Sequence, residues 1–472
     1  MEQRYVMGLD IGTTSTKATI FTLEGHLISS ESIEYPIFHP KADWAEQDPD
    51  VIYQAVLDTI RGSILKGKIK SSELIGIGIS SAMHSLIAID QYGNPLTNSI
   101  IWADNRSVDY VKQLKEEWNG HEIYLRTGTP IHPMSPLSKL IWMREEQPAL
   151  FKKAAKWISI KEYIMWKWFS EYVVDYSIAS TTGLFHLKSL DWDQEVLNLI
   201  GITKDQLSIP VPTTTIYQGM NTEAANYMGI PKDLPIIIGA SDGVLANLGV
   251  GAIEPGELAV TIGTSGAIRT VVDKPITDKK ERTFCYALID NHWVIGGPIN
   301  NGGIALRWFR DQFAAKEVKE AIELGKNAYD LMIEEADKVP AGANGLIFLP
   351  YLSGERAPYW DANTRGVFFG ISLIHKREHF IRAVLEGIAF AVYSVGEALI
   401  ERSICNDCQL STKNGVMPNA KERKTNTSFG KNSVSIIVFV SKRKRNSRFY
   451  RQSPKRNYPY VDHRICGSNS CG

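Results

Sequence analysis

GLDIGTTSTKATI, residues Gly8–Ile20, runs an apolar segment into a carboxylate and follows it at once with a glycine and a string of hydroxyls. Val6, Met7 and Leu9 lead in, Ala18, Ile20 and Phe21 lead out, and Leu23-Glu24-Gly25 makes a second turn before His26–Ser29. Alternation on both sides of short turns predicts a β-meander. Its first turn carries backbone N–H groups bare of large side chains, hydroxyls from Thr13, Thr14, Ser15 and Thr16, a cation in Lys17 and a metal-ligating carboxylate in Asp10. Those are parts for holding a polyphosphate with its Mg²⁺. A P-loop would need Gly-Lys-Ser/Thr after a four-residue gap, and a dinucleotide fold would need a helix after its glycines; here a strand follows. The same residues also suit a plain Gly/Thr-rich hairpin in which Asp and Thr satisfy the turn.

A second copy bears on that choice. DIGTTSTKATI (Asp10–Ile20) lines up with TIGTSGAIRTV (Thr261–Val271), each after an apolar run and each re-entering one. Two such hairpins predict two related domains with facing phosphate turns. Only the first begins with an acid, so one metal site and two phosphate clamps are expected. Between and after them, strand-like runs (Leu74–Ile79, Ser85–Ile89, Ile236–Ile238, Leu258–Ile262, Ala267–Val272, His292–Ile295, Leu346–Phe348) alternate with amphipathic stretches such as Asp50–Ile64 and Lys376–Ile400. That alternation predicts an α/β protein. The turn-rich GVGAIEPGE (Gly249–Glu257) marks a boundary near the middle.

At 472 residues the chain exceeds a single core. Its zero net charge hides an asymmetry: residues 402–472 hold 15 Lys+Arg against 3 Asp+Glu, leaving 37 basic and 49 acidic residues before them. Cys285 stands alone in the body, which suits a reducing compartment. No apolar run approaches the roughly 20 residues of a membrane helix, and MEQRYVMGLD has no signal-peptide core. A cytoplasmic protein is expected.

Joined to WAEQDP (Trp44–Pro49), SSAMHS (Ser80–Ser85), IWADNRS (Ile101–Ser107), GASDGVLANLG (Gly239–Gly249), PINNGGIALRWFRD (Pro298–Asp311) and LPYLSGERAPYWDANTRGVFFG (Leu349–Gly370), the two turns make the sequence resemble the FGGY carbohydrate kinases over about residues 1–401. Within that family it is most similar to gluconate kinases, with xylulose kinases next. The resemblance implies two actin/ribonuclease-H-like domains around a cleft, at 1–247 and 248–401, the second apparently incomplete. It implies transfer of the γ-phosphoryl group of ATP to an open-chain sugar or sugar acid, foremost D-gluconate to 6-phosphogluconate, with a xylulose or other polyol kinase as the alternative. Actin-like ATPases that bind proteins share the fold but lack a sugar site, and an inactive truncated kinase is a third reading. A homodimer stays open, with no membrane or nucleic-acid partner expected.

Asp242 directly follows a buried strand, at the first turn of a short helix whose Gly239, Ala240, Ser241 and Gly243 leave room for a ligand. Phosphoryl transfer to an alcohol needs a group that orients the hydroxyl and takes its proton late, so a weak base suffices. The helix N-terminus should lower the pKa of Asp242. By resemblance Asp242 is the catalytic base, and Met83 and His84 meet the sugar; Trp102 and Asp104, on another strand end, are expected to add an aromatic face and polar groups for a polyol. A carboxylate substrate also wants a cation, for which Arg106, Arg126, Lys139 and Arg144 are candidates. On the nucleotide side Asp10 is expected to order Mg²⁺, Thr13, Thr14 and Lys17 to address the outer phosphates, and Gly263, Thr264 and Ser265 to clamp from the second domain, while by resemblance Gly303 lies near the nucleotide.

After Glu401 the resemblance stops. Residues 402–472 contain one leucine, no tryptophan and a single strand-like run, Ser433–Val440. A zinc module built on Cys405, Cys408, His463, Cys466 and Cys471, a basic arm for nucleic acid or membrane surfaces, and a disordered or out-of-frame tail are the competing readings, the last favoured by the abrupt change in charge, cysteine and periodicity.

Overall fold

The computed structural model describes residues 4–401 and a backbone strand at Ile436–Val438. The opening stretch is the expected meander: β1 (Tyr5–Ile11), β2 (Ser15–Thr22) and β3 (Leu27–Glu34) pair antiparallel in sequence. Tyr5, Met7, Leu9 and Ile11 face the core, so the period of two puts Asp10 on the opposite, more open face. β4 (Leu74–Ser81) and β6 (Ile236–Ser241) extend the sheet parallel to β1, and β5 (Ile216–Tyr217) closes its edge in the order β5-β6-β4-β1-β2-β3. Asp10 lies beside Ser80, and Ser80 beside Ala240. Three parallel strands thus finish at one edge, which is where open α/β sheets bind ligands.

α1 (Pro49–Gly67) covers one face of this sheet. Asp48 caps it by accepting from the N–H groups of Asp50 and Val51, Pro49 fills the first position, and Ile52, Val56, Ile60 and Ile64 form the buried stripe. Between β4 and β5 the chain builds a second apolar cluster around Leu140, Ile141, Trp157, Phe185 and Leu197. The short α3 (Tyr176–Ser180) belongs to that cluster through Ile178 and Ala179, whereas α2 (Ile160–Phe169) buries Tyr163, Ile164 and Trp168 in the core of the first sheet.

The expected division at 247/248 falls inside α4 (Asp242–Gly249), and the turn-rich segment follows that helix. β7 (Leu258–Ile262), β8 (Gly266–Val272), β9 (Phe284–Ile289) and β10 (His292–Ile299) then form a second sheet. β7 and β8 repeat β1 and β2: both hairpins turn through three residues, Gly12–Thr14 in one and Gly263–Ser265 in the other. α5 (Gly303–Phe313) and α6 (Arg377–Ile400) pack in the second half, with Val392, Val395 and Leu399 of α6 in one cluster with Ile268 and Ile295.

α6 corrects one expectation. By length and composition it could cross a bilayer, with a mean hydropathy of 1.6 over its most apolar window. Half of that window is buried against the protein, as in the core helix of a globular domain. The zinc, basic-arm and out-of-frame readings of residues 402–472 lie outside the described residues. The exception is Ile436–Val438, which falls within the strand-like run and pairs antiparallel with Val260–Ile262 of β7, giving the order β9-β10-β8-β7-Ile436–Val438.

Candidate active site

The edge where β1, β4 and β6 finish gathers the first group of expected residues. Asp10 Oδ1 accepts from Ser80 Oγ at 2.7 Å, which orients the carboxylate at the strand end. In the turn, Gly12 N–H donates to Ser15 O at 3.0 Å, Thr14 is exposed, and Lys17 stands opposite Asp10 across the hairpin. Thr13 is more committed: its Oγ1 accepts from Trp102 Nε1 at 2.9 Å, and its carbonyl from Gln47 Nε2 at 2.6 Å. The indole of Trp102 thereby ties the Ile101–Ser107 string to the turn after β1, a link not visible in either string.

In the second hairpin, Gly263 O accepts from Gly303 N–H at 2.7 Å, and Thr264 O from Gly302 and Ile304 N–H at 3.1 Å each. A Cβ on Gly302 would stand 2.5 Å from Ser265 O, so only glycine lets the start of α5 lie on this turn. Gly263, Thr264, Ser265 and Gly303 are therefore one structural unit. The loop Ser353–Arg356 is pinned beside it, because Glu355 Oε1 accepts from Asn300 N–H at 2.6 Å and Arg356 Nε donates to Asn300 Oδ1 at 2.6 Å.

Asp242 is the first residue of α4, with Gly243 N–H donating to its Oδ1 at 2.6 Å. The expectation of a lowered pKa is overturned. Burial, reinforced by the charge of Asp10, pushes the carboxyl up to about 6, against the Gly243 N–H and the cations Arg269 and Lys161 that pull it down. A helix terminus supplies partial charges, whereas desolvation acts on the whole ionised group. Lys161 of α2 is itself buried, paired with Asp175 Oδ2 at 2.7 Å, and donates to Ala240 O at 3.3 Å just ahead of Asp242.

His84 is buried in a left-handed backbone conformation at φ 67°. Its Nδ1 lies 2.8 Å from Thr181 O and must donate there, while burial lowers its pKa to about 3. The ring is therefore neutral at physiological pH, and its Nε2 is an acceptor suited to a hydroxyl. Met83 packs beside Gly243, whose added Cβ would meet Met83 Cε at 2.7 Å.

Asp104 has partners within the protein. It is fully buried, accepting from Ala45 N–H at 2.6 Å and from Arg106 Nε and Nη2 at 2.9 Å each. Its oxygens hold the backbone of Ala45 and the guanidinium of Arg106 at this strand end. The four candidate cations are engaged likewise: Arg106 with Glu46 and Asp104, Arg126 with Asp193, Arg144 with the carbonyls of Leu199 and Ile200, and Lys139 with those of His84, Ile101 and Met134. No motif points to Arg269, Tyr286 or His132, each of which keeps a buried polar atom with no hydrogen-bond partner.

Two related domains, each opened by a Gly-Thr hairpin, with an ionisable carboxylate at a shared strand edge, define a phosphotransferase of the actin/ribonuclease-H-like type that uses an alcohol as acceptor. The chain belongs to the FGGY family of carbohydrate kinases, whose N-terminal domain matches residues 5–249 and whose C-terminal domain matches residues 258–417. The family pattern thus runs past Glu401, where the resemblance was expected to stop. Gluconokinase of Bacillus subtilis is 55% identical over 397 residues, covering 84% of this chain and 77% of that protein. The crystal structure of gluconate kinase from Lactobacillus acidophilus superposes with a TM-score of 0.80 at 41% identity, covering 85% of this chain and 79% of the other. Ligand-bound xylulose kinase from the same organism gives 0.79 at 42% identity, over 84% and 79%. ATP is the phosphoryl donor the family implies.

Proposed function

We propose that the chain is a cytoplasmic sugar-acid kinase that phosphorylates a terminal hydroxyl of D-gluconate, with Asp242 as the base. The observation that carries this reading is the register that brings Asp242 into the field of Asp10 at the shared edge of β1, β4 and β6. The identity to gluconokinase favours the acid as substrate. A xylulose kinase is the second reading, favoured by the superposition on that enzyme. A spectrophotometric assay of ADP release against a panel of sugars and sugar acids separates the two.

In this reading the hydroxyl lies between Asp242 and the terminal phosphate. Asp242 orients it and receives its proton as the phosphoryl group departs ATP, neutral His84 accepts from another hydroxyl, and the ring of Trp102 covers carbon. Thr13, Thr14 and Lys17 hold phosphates from one domain, and Gly263, Thr264 and Ser265 from the other, with Gly303 giving the nucleotide close approach. A division near residues 250–257 would let the two halves close and exclude water.

Among the described residues no three acids, histidines or cysteines cluster as a metal cage. Mg²⁺ bound to a nucleotide does not need one, since one carboxylate with phosphates and water completes its octahedron. Asp10 fits that part: it is partly open, and its repulsion of Asp242 is what a cation would relieve. The ion would neutralise charge on the transferring group. Asp10→Ala is therefore expected to raise the Mg²⁺ concentration for half-maximal rate and lower kcat by about 10²-fold, as for other lost transition-state charge contacts. Gluconate affinity should hold. An unchanged Mg²⁺ titration would return the turn to a purely structural role.

A further inference from the structure

Arg269 lies in the middle of β8 with its guanidinium turned toward the first domain. Its Nη1 makes one long bond, 3.3 Å to Thr261 Oγ1, and its buried Nε has no partner. Glycines from both halves clear its path. A Cβ on Gly296 would stand 2.9 Å from Arg269 Cα and 3.1 Å from Cγ, and one on Gly243, next to Asp242, would stand 3.5 Å from Nη2. On the same side lies Tyr286, whose buried hydroxyl is also unpartnered, with His84 6.1 Å away ring to ring and Met83 packed on its cluster.

A guanidinium held this way is costly unless something answers it, because a buried donor without an acceptor forfeits its hydration. The neighbouring Arg356 differs: it donates to Asn300 Oδ1 and Ile299 O and stands over the ring of Trp102. Arg269 has capacity left, and a planar fork is best met by a carboxylate. Its neighbours decide which anion. Met83, His84 and Tyr286 are on the sugar side, whereas the phosphate turn Gly263–Ser265 lies beyond Thr261 at the other end of the hairpin.

We propose that Arg269 reads the carboxylate of the acid substrate, and so sets the preference for a sugar acid over the neutral polyol of the same length. This rests on the sugar-acid reading above. The four cations nearest the family strings are spent on the fold, and Arg269 reaches the site from the other domain. Acid recognition thereby requires both halves of the chain.

Calorimetric titration of the full chain with D-gluconate and with D-glucitol, which carries CH₂OH in place of the carboxylate, tests this without requiring turnover. Wild type should favour gluconate. Arg269→Gln should lose about 10- to 100-fold in gluconate affinity, the range for a hydrogen bond to a charged group, and leave glucitol unchanged. Arg269→Lys should recover part of the loss, and circular dichroism melts should match wild type. Equal loss for both ligands, or none for gluconate, overturns the assignment. So does intact gluconate binding with weakened ATP binding, which would make Arg269 a phosphate ligand. A wild-type chain that does not prefer gluconate overturns the sugar-acid reading itself, and that arm is read before any variant is made.

Discussion

Asp242→Asn is expected to lower kcat by about 10²- to 10⁴-fold while leaving gluconate affinity largely intact, the range that general-base catalysis supplies. The amide keeps the shape of the carboxylate but cannot accept the proton. The wild-type pH profile gives an independent check. The carboxyl pKa is raised to about 6, and the base works only when ionised, so kcat/KM should fall as pH drops through about 6 and level off above it. The asparagine variant should lose that acid limb. Asp10→Ala should shift the limb to lower pH, since Asp10 helps to raise the Asp242 pKa; Arg269→Gln should shift it upward, since Arg269 helps to lower it. A variant that turns over at the wild-type rate would reduce Asp242 to a helix-terminal residue.

These shifts show what the sequence could and could not disclose. The Asp10 turn was legible because a hairpin is local: alternation, a glycine and small hydroxyls within thirteen residues define it. Its repeat at Gly263–Ser265 was legible for the same reason. Asp242 stands out as an acid between an apolar strand and small residues, yet the direction of its pKa is set by burial and reinforced by Asp10, and neither is visible before the β1–β4–β6 register brings the strand ends together. Cations failed differently. Arg106, Arg126, Lys139 and Arg144 are candidates by charge alone, and each answers carbonyls or carboxylates that no string displays. Arg269 lay unremarked in a β-strand, because what matters there is the absence of side chains at Gly243 and Gly296.

Gly239→Ala is expected to be among the most damaging single-methyl additions in the first domain. Three residues of β6, from Ile237 to Ala240, advance against two of β4, from Gly78 to Ser80, so β6 carries a bulge. Gly239 sits in it at φ +66°, and a Cβ there would stand 1.9 Å from Ile79 O. Bulges re-aim a strand beside an active site, and this one lies three residues before Asp242. The left-handed conformation costs a non-glycine about 1 to 3 kcal/mol, and overpacking against backbone about as much again. The total of roughly 2 to 6 kcal/mol compares with a whole stability of about 5 to 15 kcal/mol. Relief requires β6 to move away from β4, which drags Asp242 with it, and a displacement of about 1 Å can cost about 10²-fold in rate. The melting temperature and kcat should therefore fall together. Gly239→Asn separates the causes: asparagine tolerates the dihedral but keeps the Cβ, so it should be nearly as harmful if the contact with Ile79 dominates. Gly201→Ala is the control, since Gly201 has φ +84° and open space around it, and only the smaller dihedral cost should appear. A Gly239→Ala chain that melts and turns over like wild type would show that the bulge does not set the position of Asp242.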